Sequence, residues 1–142
     1  MATLMNAAEE AMAAVIRLFE AAERRHKEQI QDTIDALKAH GGNAIVNEYR
    51  YVFRNEAEME GYGKAIAAIN RHTKDGITLE AVHAALAGEV ESVQRELLWS
   101  VGAGQNTCPV RNAMQSLKGM ATLTVLDNLT RIKLELEDAA AV

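Results

Sequence analysis

The stretch TLMNAAEEAMAAVIRLFEAAERRHKEQIQDTIDALKAH, Thr3–His40, contains neither proline nor glycine. Its apolar residues fall at Leu4, Ala8, Ala11, Val15, Leu18, Ala22, Ile30, Ile34 and Leu37. That alternation of threes and fours keeps one face of a helix apolar along its whole length. At 1.5 Å per residue the rod is roughly 55 Å long, more than one short partner covers. The remaining chain must therefore run back and forth along it. The fold expected is all-α: an antiparallel, up-down-up-down four-helix bundle with a long first helix, in a single domain of residues 1–142.

Composition agrees with that class. Apolar residues make up 49% but aromatics only 4%, and alanine dominates, which suits close-packed helices better than a sheet core. A single proline, Pro109, leaves long segments uninterrupted. The net charge of −5 opposes general nucleic-acid binding, because phosphate neutralisation needs a basic face. Arg24, Arg25 and Lys27 come closest to one, but Glu20, Glu23 and Glu28 interleave with them at spacings that suit i,i+4 pairs on a solvated helix face. No stretch approaches the ~20 apolar residues of a membrane span, and the N-terminus lacks the pattern of a signal peptide. One cysteine, Cys108, has no internal partner, so a reducing compartment, by default the cytoplasm, is expected.

Outward from the rod, His40-Gly41-Gly42-Asn43 reads as a glycine C-cap followed by an Asn cap for the next helix, folded back antiparallel. Helix two is expected from Ala44 to Arg71, with the stripe Ile45, Tyr49, Val52, Glu56, Met59, Gly63, Ile66 and Ile69. Glu56 then interrupts an apolar seam, and Gly61 with Gly63 predicts a bend or a very close helix contact. Thr73-Lys74-Asp75-Gly76 is a turn, and Thr78 caps a third helix over Leu79–Val101 with the stripe Leu79, His83, Leu86, Val90, Val93 and Leu97. Trp99 lies off that stripe, either under the next loop or in a contact surface. After Gly102-Ala103-Gly104-Gln105-Asn106, Thr107 and Pro109 start a fourth helix ending near Ala139. It carries Val110, Met114, Leu117, Ala121, Val125, Leu129, Ile132 and Leu136, plus a second row of Met120, Leu123 and Leu126. Two apolar rows imply more burial than three neighbours provide, and a second copy of the chain hides the surplus most simply.

Three features bear on chemistry. Glu23/His26 and Glu80/His83 have the Glu-x-x-His spacing of carboxylate-bridged di-metal bundles. Counting 1.5 Å per residue along alternating helices puts His26 at roughly 34 Å, Glu56 at roughly 37 Å and Glu89 at roughly 30 Å, in one layer, with His83 left behind at roughly 20 Å. Glu23, His26, Glu56 and Glu89 are thus half of a site for iron, manganese or zinc, or else seam groups that fix register. Cys108, at a helix start, has the free backbone donors that stabilise a thiolate. Gly102-Ala103-Gly104 contains a Gly-x-Gly but follows a helix and lacks the rest of a phosphate-binding loop, and Arg71–Gly76 reads as a turn. The function expected is a non-enzymatic interaction or assembly protein, a homo-oligomer or part of a larger complex. Phe19, Trp99, Leu123 and Leu126 are its contact residues. The alternatives are the metal-carboxylate bundle and a bundle that senses a small ligand in an apolar cavity near Gly61, Gly63 and Gly119.

Overall fold

The computed structural model describes residues 2–102 and 109–141. It is a bundle of four α-helices: α1 Ala2–His40, α2 Asn43–His72, α3 Leu79–Gly102 and α4 Pro109–Ala141, with no strand among the described residues. Phe19 lies against Gly63, Arg25 reaches Glu58 and Gln29 donates to Glu48, so residue numbers fall along α2 as they rise along α1. The pair is antiparallel. His83 meets Glu137, and Val93 and Val125 line one cleft further along, which sets α4 antiparallel to α3 in the same way. The expectations on Cys108 and on the segment 103–107 lie outside the described residues.

The connections follow from turn chemistry. Gly41 adopts φ +76°, a left-handed conformation that costs an L side chain energy, and its N–H donates to the Leu37 carbonyl at 2.9 Å. The next helix begins at Asn43 itself, and its N-cap is Gly42, without a side-chain cap, rather than the expected Asn43. At the second turn Gly76 takes φ +138° and bonds the Thr73 carbonyl. Thr78 Oγ1 then accepts the Ala81 N–H at 3.1 Å, the cap read from the sequence.

The core is built of small side chains. Among the described residues eighteen hydrophobic side chains are buried, seven of them Ala and five Val. Tyr62, Leu86 and Leu129 are the largest that are fully enclosed. Along α4 the buried line is Ala121, Val125, Leu129, Ile132 and Leu136, as expected. Small residues let helix axes approach closely, and this happens where α2 crosses to α4. A Cβ on Gly61 would stand 2.9 Å from Val125 Cγ2, so only glycine fits that contact without movement.

The stripe expected on α2 is out of phase with the true one. Glu56 is exposed, and the line facing the centre runs Glu58, Tyr62, Ala65, Ala68 and Ile69. Glu56 and Glu58 are separated by roughly 200° around the helix. Val52, Met59 and Ile66 of the expected stripe are only partly buried. A helix that contacts three neighbours has more than one apolar row, and periodicity alone does not say which row is central.

Burial also stops short of one end. Among the residues whose burial is described, the last buried one of α1 is Ala22, the first of α2 is Glu58, the last of α3 is Val93 and the first of α4 is Ala121. Ile30, Ile34 and Leu37, expected on a seam covered throughout, are 40–41% exposed. Beyond Ala22 the long rod is only partly covered: His26, Gln29, Thr33 and Ala36 are half-buried, and Gln29 donates to Glu48 of α2.

Candidate functional site

The residues of the metal hypothesis are not brought together. Glu23 pairs with Lys27 on its own helix at 3.4 Å. His26 is half-buried, and its Nδ1 is enclosed without a hydrogen-bond partner. Glu56 points to solvent, and Glu89 lines a cleft with Gly61, Lys64, Val93, Lys118 and Val125. Among the described residues no three His, Cys, Asp or Glu side chains gather as an ion requires. His83, the histidine of the second motif, bonds Glu137 through Nε2 at 2.8 Å instead of Glu80.

The acidic group that the fold does bury was not among the candidates. Glu58 is 4% exposed. Arg25 Nη2 on α1 lies 3.2 Å from its Oε2, and Arg54 Nε, one turn earlier on α2, lies 3.4 Å from its Oε1. An enclosed carboxylate needs such partners, since unpaired burial of a charge is strongly unfavourable. One turn further along α2, the Tyr62 hydroxyl accepts a bond from Asn128 Nδ2 at 2.7 Å. Burial pushes the Tyr62 phenol above its usual range, against the pull of the Asn128 bond. Glu137 is held below the ordinary carboxylate range, first by the bond from His83 and then by Lys133. These groups fix α1 on α2, α2 on α4 and α3 on α4. They form structural clamps, each with its partners already in place.

Among the described residues no apolar chamber opens at Gly61 or Gly63. The cleft beside Gly61 is about 60 Å³, lined by Glu60, Lys64, Glu89, Glu96 and Lys118 as well as apolar groups. Val125 occupies the space over Gly61, and Phe19 the space over Gly63. Larger hollows of about 350 and 300 Å³ lie side by side between α1 and α4, sharing Ala14, Arg17, Ile132 and Glu135, but both are open grooves.

Of the contact residues named from the sequence, Phe19 and Leu126 pack against the chain's own core. Trp99 is 79% exposed and Leu123 half-exposed. The surface holds further apolar groups that sequence reading assigned to the seam or passed over. Among the described residues Ile16, Ile30, Ile34, Leu37, Tyr49, Tyr51, Leu98, Met120 and Leu134 are also exposed, Leu98 at 71%. Seven of the eleven sit on α1, α2 or α3 beyond the last buried layer, at one end of the bundle: Ile30, Ile34, Leu37, Tyr49, Tyr51, Leu98 and Trp99. Met120, Leu123 and Leu134 lie on the outer face of α4. Compared with models of protein families, with curated proteins and with solved structures, the chain gives no significant match to any. No described helix is long and apolar enough to cross a membrane.

Proposed function

We propose that this chain is a non-enzymatic assembly protein that associates with copies of itself as a component of a larger complex. The supporting observation is where large apolar side chains stand: Ala and Val supply twelve of the eighteen described buried hydrophobic residues, while Trp99, Leu98, Tyr49, Tyr51 and three aliphatic residues of α1 are exposed at one end. Isolated exposed apolar residues are ordinary, and Ile16 needs no explanation. Seven at one end of a rod are a different matter, because aromatic and aliphatic groups concentrated in one region are what the centres of protein interfaces contain. The lone cysteine, Cys108, fits a reducing setting such as the cytoplasm.

Sedimentation velocity across micromolar concentrations tests this. The expected result is a species heavier than the 15.5 kDa chain whose share grows with concentration. It should recede when Leu98 and Trp99 are both replaced by serine. A strict monomer throughout overturns the proposal.

A further inference from the structure

On α4, Ser116, Met120, Leu123, Asp127, Thr130 and Leu134 recur at alternating steps of four and three, the spacing that keeps one seam straight along a helix. All six lie opposite the buried line of Ala121, Val125, Leu129, Ile132 and Leu136. Five are exposed and Thr130 is half-buried. We infer that this outer stripe is the seam of an antiparallel pairing of α4 with α4 of a second copy, about a two-fold axis passing between residues 128 and 129.

The register decides the occupant. When α4 is laid antiparallel on itself about that point, Leu123 comes opposite Leu134 of the second copy, and by symmetry Leu134 opposite Leu123. Asp127 comes opposite Thr130, a carboxylate against a hydroxyl, twice. Arg131, on the flank of the stripe, falls one residue from level with Asp127 of the second copy, so opposite charges approach on both sides of the axis. Between Leu123 and Leu134 apolar groups thus meet apolar groups and polar groups meet polar ones, the self-complementarity that a closed two-fold contact requires, while Met120 falls level with Glu137 at the edge of the seam. A parallel pairing in register would set Asp127 against Asp127, like charge on like, without a threonine hydroxyl to donate to it. The same exposure of Met120, Leu123 and Leu134 in a heterologous partner would need no such internal match.

This seam rests on the assembly reading but uses a different surface from the bundle end. The test starts from a Cys108→Ser background, into which Leu123→Cys and Leu134→Cys are placed on separate chains, each shown to be folded by circular dichroism. A short bis-maleimide should cross-link the mixture of the two chains and neither chain alone, because in the antiparallel register each residue lies roughly 16 Å along the axis from its own counterpart. A chain with both Leu123→Glu and Leu134→Glu should show a dimer dissociation constant raised at least tenfold. Cross-linking of either chain with itself, or none in a sample that still sediments as a dimer, overturns the seam and leaves assembly standing. A monomeric sample overturns both.

Discussion

Gly61→Ala should destabilise the protein, although alanine is the better helix former. A glycine in a helix interior costs about 0.5–1 kcal/mol relative to alanine, so the substitution is favourable wherever a methyl group fits. At Gly88 nothing lies within 4 Å of the new Cβ, and at Gly63 the nearest atom is Phe19 Cε2 at 3.5 Å, an ordinary contact. Both replacements should therefore stabilise by about 0.5–1 kcal/mol. At Gly61 the new methyl would meet Val125 Cγ2 at 2.9 Å and Cγ1 at 3.1 Å. Rotating Val125 gives little relief, because both its methyls flank the site and a β-branched side chain in a helix has one strongly preferred rotamer. The helices must separate, and overpacking of this kind costs about 1–3 kcal/mol, leaving a net loss of about 0.5–2 kcal/mol after the gain in propensity. Val125→Ala removes the obstruction. In that background Gly61→Ala should change sign and become stabilising by about 0.5–1 kcal/mol. Urea unfolding of the four chains forms a double-mutant cycle with a coupling of 1 kcal/mol or more, on the order of that seen between residues in contact. If Gly61→Ala stabilised as much as Gly88→Ala and showed no coupling to Val125, the close crossing of α2 and α4 would be wrong.

Asn128→Ala should cost about 1–2 kcal/mol, since it strips the buried Tyr62 hydroxyl of its donor, and Tyr62→Phe in the same chain should recover part of the loss in urea melts. In an absorbance titration the Tyr62 phenolate should form above the ordinary tyrosine range. Because the folded state raises the Tyr62 value, the associated stability is present below pH 10.0 and is lost as pH climbs toward the folded value, and a Tyr62 phenolate forming within the ordinary tyrosine range would contradict the burial. Glu137 has the opposite sign: its folded value is depressed, so its contribution is present above pH 4.5 and disappears as pH falls through the folded value. The stability gap between the wild type and Glu137→Gln should accordingly narrow below pH 4.5, and a gap that persisted unchanged into acid would show that the His83 bond does not act on this carboxylate.

The helices and turns were legible because each is specified locally. An uninterrupted run of 38 residues, a glycine at φ +76° and a threonine three residues before the N–H it caps are read from neighbouring residues alone. The central line of α4 was legible as well, since its apolar period is unbroken from Ala121 to Leu136. What sequence periodicity did not resolve was the rotation of α2. The only local signature of Glu58 is Arg54 one turn before it, an ordinary surface spacing, and the arginine that reaches it from α1 stands 33 positions away in the chain. Nor did periodicity show where cover runs out. Ile30, Ile34 and Leu37 continue the spacing of Ala8, Val15 and Ala22, yet no residue of α1 beyond Ala22 is fully buried. The glycines announced a close contact, and the structure supplies its partners, Val125 and Phe19.

The single tryptophan reports directly on the uncovered end. Trp99 is 79% exposed in the isolated chain, so its emission should be that of indole in water and fully open to an aqueous quencher at high dilution. As concentration rises through the micromolar range the account predicts a blue shift and progressive protection from quenching, following the sedimentation isotherm. Emission that stayed water-like and freely quenched while larger species formed would mean that this end of the bundle is not where the copies meet.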